Sequence, residues 1–205
     1  MDRSIEIFKK YVPENAVSYC YNLWQEHKFY FKITQPRQSK FGDFRYIPST
    51  QTIQITVNGD LNPYAFLVTY LHEVAHLLTF KKYKNSVSPH GKEWKNQFKT
   101  LLMPMLSKDV FPLGILINLE QYAQNPKAST CSDHELLESL HQFNKIISKD
   151  PSQVLLKNLN QGNKFEFNNE HYEIEKKMRS RVLCTNLATH RKYYISFMAI
   201  VKPIF

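Results

Sequence analysis

His72, Glu73 and His76 stand in the order H-E-x-x-H. Side chains four apart on an α-helix stack on one face, so both imidazoles can reach one metal ion while the carboxylate one residue on lies at its flank. A zinc ion held this way acidifies a bound water toward neutral pH, and a carboxylate within hydrogen-bond reach takes its proton as the water attacks a carbonyl. The pattern therefore points to metal-assisted hydrolysis with Glu73 as general base. A catalytic zinc normally has three protein ligands and an open fourth position, so a third donor is needed. His90 follows after a polar loop containing Pro89 and stands at the head of the next helical segment, from where it can fold back onto the first. His27, His134, His141, His171 and His190 lack this relation to the motif.

The elements that must position these groups can be read from periodicity. Asn62 followed by Pro63 is a cap and first-turn signal, and Phe66, Leu67, Tyr70, Leu71, Val74, Leu77 and Leu78 recur at helical spacing, which places the motif inside the central helix. A second helix runs from about His90 through Trp94, Phe98, Leu101 and Leu102 until Pro104 bends or stops it. Upstream, Ile5, Phe8 and Val12 form one helical stripe and Ala16, Tyr19 and Leu23 another, with Pro13 at a helix start between them. The period then changes to two. Residues 29–33, 40–47 (KFGDFRYI) and 52–57 (TIQITV) read as strands, with Gly42 at a bulge or a close approach.

The turn-rich stretch 125–130 (NPKAST) divides the chain into a first domain, residues 1–124, and a second, residues 125–205. In the second, Ser132 and Glu135 stand in capping-box spacing before a helix carrying Leu136, Leu140, Phe143 and Ile147. After Gly162, strand-like segments follow at 165–167, 171–174, 181–184 and 193–201. The fold class expected is α+β: helices packed on a small mixed sheet, then a helix and a small antiparallel β module.

A chain of 205 residues with 42% hydrophobic and 14% aromatic content can bury one good core and a small second module. No stretch approaches the roughly 20 apolar residues that span a bilayer, and the N-terminus shows no signal-peptide pattern, so a cytoplasmic protein without membrane contact is expected. Three dispersed cysteines, Cys20, Cys131 and Cys184, give no disulfide framework and fit a reducing compartment; Cys20 reads as core. The net charge of +9 is uneven, because residues 176–205 hold seven Lys or Arg and no Asp or Glu. Lys176, Lys177, Arg179 and Arg181 are the candidate nucleic-acid contacts in that tail. Tyr193, Tyr194 and Phe197 are near them in sequence, and the plainer reading makes these aromatics the core of a small sheet.

At these residues the chain resembles the SprT-like family, whose eukaryotic relatives are the Spartan proteases. LHEVAHLLTF (residues 71–80) resembles the family's metal helix, HGKEW (residues 90–94) its third-ligand segment, and KFGDFRY (residues 40–46) the strand beside its cleft. The resemblance covers roughly residues 5–107. It implies a zincin-like domain with one zinc ion on His72, His76 and His90, Glu73 as catalytic acid/base, and Gly91 and Trp94 as structural residues. It also implies a protein or peptide substrate, with DNA or DNA-bound protein as a partner class. The paired Cys-x-x-Cys knuckles of many relatives are missing here. Cys131, His134, Cys184 and His190 are the remaining residues that could hold a second metal.

The leading reading is a zinc-dependent metalloendopeptidase that hydrolyses peptide bonds through a Glu73-activated water. The alternative is a non-enzymatic nucleic-acid or transcription-associated binding module that keeps zinc as a structural element. A metzincin requires H-E-x-x-H-x-x-G-x-x-H, and LLTFKK after His76 excludes it. A thermolysin-like enzyme would take Glu93 as third ligand. The oxyanion-stabilising residue stays unassigned among Tyr70, Arg45 and Tyr46.

Overall fold

The structure is a computed structural model that describes residues 3–37, 40–127, 133–143, 152–178, 181–197 and 199–204. The chain divides into two compact units, Met1–Asn144 and Lys145–Phe205. The sequence reading puts the division at 124/125. Contacts put it twenty residues later because α6 (His134–His141) buries Leu136 and Leu140 in the first unit's core.

In the first unit, α1 (Arg3–Tyr11) and α2 (Val17–His27) precede three strands, β1 (Tyr30–Thr34), β2 (Gly42–Ile47) and β3 (Thr52–Asn58). The sheet order is β1-β3-β2, with β1 parallel and β2 antiparallel to β3. Among the described residues β2 pairs with β3 alone, so its other edge is open. Ile55 and Val57 alternate inward from β3 onto the central helix, and Thr56 and Asn58 on its other face are buried as well.

That helix, α3 (Pro63–Tyr83), starts where the side chain of Asn62 accepts the backbone N–H groups of Tyr64 and Ala65 and Pro63 fills the first turn. It is buried nearly all round its first four turns, by α1 and the sheet on one side and by α4 (Lys92–Leu102) on another. A helix enclosed in this way needs no polar face, which is why its apolar run is almost unbroken from Ala65 to Leu78. Lys81 and Lys82 sit in its last turn, where cations complement the exposed carbonyls. α5 (Leu113–Gln124), which the sequence reading did not delimit, closes the core with Ile115, Leu116 and Leu119. α6 follows, and the side chain of Asp133 accepts the N–H of Leu136 at its cap. Ser132 and Ile147 lie outside the described residues. The α+β class holds, and no described helix is long and apolar enough to cross a membrane.

The second unit is an antiparallel sheet of order β4-β9-β5-β6-β7-β8, built from β4 (Val154–Leu155), β5 (Lys164–Phe167), β6 (Glu170–Lys177), β7 (Arg181–Asn186), β8 (Lys192–Ser196) and β9 (Ile200–Ile204). The expected single strand over 193–201 is two strands. The backbone turns where the N–H of Ala199 reaches the carbonyl of Ser196, and β9 inserts between β4 and β5, far from β8. Phe165, Ile174, Val182, Cys184 and Val201 form this unit's core.

Candidate metal centre

Three rings meet at one point. The Nε2 atoms of His72 and His76 are 3.2 Å apart, those of His76 and His90 3.0 Å, and those of His72 and His90 3.4 Å. Three nitrogens each ~2.0–2.1 Å from a tetrahedral zinc ion stand about 3.3 Å from one another, so the triangle has the size that such an ion requires. Hydrogen bonding alone does not account for it. A neutral imidazole has one N–H, and three Nε2 atoms facing each other cannot all be satisfied by mutual donation.

Protonation does not relieve the crowding either. Burial holds the His72 imidazole well below its ordinary range, reinforced by the charges of His76 and His90. Burial and His90 bring His76 down to about 3, and burial lowers His90. Three neutral, converging donors are what a metal ion takes up. Among the described residues this is the group that could hold a metal, and Glu93, the alternative third donor, is not part of it.

The placement of each ring has a local cause. His72 and His76 share a face of α3. His90 precedes α4, and Gly91 makes the turn that aims it: its N–H bonds back to the carbonyl of Ser88, and a Cβ there would stand 3.2 Å from both Ser88 Cβ and Ser88 O. Trp94, wholly buried one turn into α4, lies with its ring centroid 4.6 Å from His72, 5.3 Å from His76 and 4.8 Å from His90, and stacks on Phe98 at 5.3 Å. The indole is therefore the back wall of the cluster, as the structural role implied for it requires.

Glu73 is buried, at 6% exposure, under the start of β2. Burial first, and then the Asp43 carboxylate, push it up to about 8, against the opposing pull of Arg37, Lys40 and a backbone hydrogen bond at Phe44. Gly42 is the close approach anticipated from sequence, and β2 pairs with β3 there without a bulge. A Cβ on Gly42 would fall 2.5 Å from Glu73 Oε1, 2.8 Å from Glu73 Cγ and 2.7 Å from Thr69 Cγ2. Gly42→Ala should thus displace the carboxylate without touching a histidine. The expected result is a loss of turnover on the order of 10²-fold, the scale set by a 1 Å misplacement, with zinc content unchanged. Equal turnover in the variant would show that the carboxylate's position is not critical.

Of the residues considered for the oxyanion, Tyr70 is removed from the site: its hydroxyl donates to the carbonyl of Cys20 inside the core. Arg45 pairs with Asp43, and Tyr46 lies on Phe80. In the second unit the four basic candidates separate. Lys176 and Arg181 are exposed at the end of β6 and the start of β7, Lys177 donates to the carbonyl of Lys157, and Arg179 lies outside the described residues. The reading of Tyr193 and Tyr194 as core is corrected, since they are 39% and 57% exposed. Strand β8 is an edge and only its Ile195 turns fully inward. Cys184 is buried, its thiol pushed up to about 12 by burial first and by Glu175, and it belongs to no metal-capable group among the described residues; Cys131 lies outside them.

A two-histidine helix, a third histidine returned by a glycine turn and a buried glutamate beside them form a group that could hold a metal ion on an α+β scaffold. Residues 22–109 match the model of the SprT-like family. No curated protein and no solved structure matches the chain.

Proposed function

We propose that the first unit is a zincin-like, zinc-dependent endopeptidase of the SprT kind, with His72, His76 and His90 as ligands and Glu73 as general base and acid. The observation that carries this reading is the convergence of three uncharged imidazole nitrogens, 3.0–3.4 Å apart, beside a buried carboxylate. A zinc ion there supplies Lewis acidity, polarising a peptide carbonyl and making water acidic enough to attack near neutral pH. The chain's own residues do the rest. Glu73 takes the proton from the attacking water and returns it to the departing amine. Trp94 and the Gly91 turn fix the imidazoles. The open edge of β2 can hold an extended peptide by strand addition, so that backbone hydrogen bonds align the scissile carbonyl whatever the side chains are. The test is proteolysis of an unfolded protein by the zinc-loaded chain, with and without a chelator. Chelator-sensitive fragments are expected, and a fully zinc-loaded preparation that cleaves nothing would overturn the reading.

A second reading concerns the β unit, and one observation favours it. The outward face of β7 and β8 carries Arg181 opposite Ser196, Leu183 opposite the exposed Tyr194, and Thr185 opposite Lys192, with Lys176 in register with Leu183 on β6. Lys192 shares its charge with Glu175 at 3.7 Å. An exposed ring flanked by cations fits single-stranded nucleic acid, phosphates on the cations and a base on the ring. Tyr194→Ala is expected to weaken single-strand binding by roughly 1–3 kcal/mol, and Arg181→Ala to flatten the log–log salt dependence by about one unit. Binding indifferent to salt and to both substitutions would dismiss this surface. If it binds, the β unit delivers the peptidase to proteins on nucleic acid, and the zinc unit acts there.

A further inference from the structure

The open edge of β2 runs from Gly42, over Glu73, to Tyr46, and the site is cationic at the Tyr46 end. Residues 80–92 hold Lys81, Lys82, Lys84 and Lys92, all exposed, and no Asp or Glu. These lysines are not equivalent. Lys81 is turned away, its Nζ donating to the carbonyl of His27, and Lys82 lies over the ring of its neighbour Tyr83. Lys84 instead reaches back along α3, and its Nζ stands 5.0 Å from the centroid of the Phe80 ring. Phe80 packs on Tyr46 at 4.8 Å and on Phe44 at 5.7 Å, and Phe44 stands 6.3 Å from His76. A row of rings thus leads from the metal cluster to one ammonium group.

The backbone holds Lys84 in an unusual way. It caps α3 at φ 53° and ψ −129°, with its N–H on the carbonyl of Phe80. Glycine is the usual residue at a positive-φ cap, and a lysine strained there points to a use for its side chain. No acid among the described residues neutralises it. Asp43 is taken by Lys40 and Arg45, Glu26 lies beside His27, and Glu93, the one acid in residues 77–108, lies against Gly91.

The direction of a bound peptide decides which residue meets this group. Strand β2 and helix α3 advance in the same sense across the site, since Gly42 lies on Glu73, Phe44 beside His76 and Tyr46 beside Phe80. A peptide added antiparallel to the open edge, the more stable pairing, therefore brings its N-terminal part to Tyr46. Directly opposed residues of an antiparallel pair share a face. The residue across from Phe44 turns toward the metal cluster, and the one across from Tyr46, two residues nearer the N-terminus, turns toward Phe80 and Lys84.

We infer that Tyr46, Phe80 and Lys84 form a subsite for an acidic side chain, so that the substrate is a segment carrying Asp or Glu on the N-terminal side of the cut. This rests on the peptidase reading above. The rings carry the methylenes of a Glu, and the ammonium meets its carboxylate in a charge-assisted hydrogen bond. A phosphate backbone needs a run of cations. With Lys81 and Lys82 directed elsewhere, the single ammonium on the peptide's path matches a single carboxylate.

The test reads binding apart from turnover. Peptides of neutral residues ending in a C-terminal hydroxamate, which anchors on zinc, carry one Glu walked back residue by residue, with Gln and Lys at the same places for comparison. They are titrated against the zinc-loaded full chain. Glu should bind roughly fivefold tighter than Gln at one place, the third or fourth residue back, with Lys weaker than Gln there and the ratio shrinking in high salt. Lys84→Met should erase the Glu-over-Gln ratio, and Lys84→Glu should invert it in favour of Lys, with zinc content unchanged in both. Equal affinity of the three series at every place would overturn the proposal, as would a preference that survives Lys84→Met. A single-stranded oligonucleotide that displaces the peptides from the wild type but not from Lys84→Met, without any Glu preference, would overturn it in favour of nucleic acid. Cleavage of a peptide library by the same preparation keeps the two readings apart. Cuts without an acidic preference would sink the subsite and leave the peptidase standing, and discriminated probes with no cleavage would leave the subsite and sink the peptidase.

Discussion

Glu73→Gln should abolish proteolysis by 10²–10⁴-fold, the range a positioned general acid/base contributes, while the protein keeps its zinc. Gln preserves the shape and the hydrogen-bonding capacity of the side chain but cannot accept a proton, so a loss of this size with intact metal isolates proton transfer from folding and ligation. The same substitution has a second signature in the metal-free chain. Glu73 is raised to about 8 by burial, so between its unfolded value near 4.5 and about 8 the folded chain binds more protons than the unfolded one. Stability then falls as pH rises through that window, by up to about 1.4 kcal/mol per pH unit. The variant lacks this penalty. Denaturant unfolding of the two metal-free proteins should show Glu73→Gln gaining on the wild type from pH 5 to pH 8 and running parallel above it. Zinc should shrink the gap, because a nearby dication favours the ionised carboxylate. A variant that cleaves at the wild-type rate would remove Glu73 from the chemistry, and a pH-independent stability difference would remove the buried-charge account of it.

What the sequence could reveal follows from the range of the interactions. Helix α3 was legible because its signals are local: Asn62 and Pro63 mark its start, and the apolar run behind them leaves no other element to propose. His90 was legible because a His-Gly pair opening a helix is itself a local device. Glu73's environment was only half legible. Gly42 announced a close approach, but what approaches it, the Glu73 carboxylate, is a contact across thirty-one residues that no pattern in either segment encodes. Leu136 and Leu140 announced a buried face on α6 without saying which core buries it, and the division of the chain shifted accordingly. In the β unit, alternation runs on through residues 193–201 and hides the turn that sends β9 to the other side of the sheet. Tyr194 was misread because hydrophobic type does not say which face of a strand is covered, and Tyr194 lies with Arg181 and Leu183 on the outward one, while its neighbour Ile195 turns inward. Thr69 was missed altogether. Its signal was its place one turn before Glu73, on the helix face that also carries His76.

His90→Ala should lose the metal, and the way it does so discriminates among the readings. With three imidazoles the chain is expected to retain one zinc after dialysis against a weak chelator. With two, the triangle loses two of its three edges, and Trp94 and the half-buried rings around it face a gap that water fills. Glu93→Ala, by contrast, should keep its zinc, because Glu93 lies outside the converging group. Thermal denaturation reports the same event as linkage: at free zinc a thousandfold above Kd the wild type gains about 4 kcal/mol, and His90→Ala should gain only a small part of this at the same zinc concentration. Acid should act in the same direction. The folded-state imidazoles are lowered by burial, so their contribution to stability is present above the unfolded value of about 6.5 and drains away as pH falls below it. Zinc, which also requires neutral imidazoles, reinforces the folded form against that loss. The zinc-loaded wild type should therefore resist acid to a lower pH than the metal-free chain, and His90→Ala should show no such difference. Zinc retained by His90→Ala and lost by Glu93→Ala would reassign the third ligand. Zinc bound by neither those variants nor the wild type would turn the three-histidine cluster into a scaffold without its metal and leave the exposed face around Tyr194 as the part of the molecule with work to do.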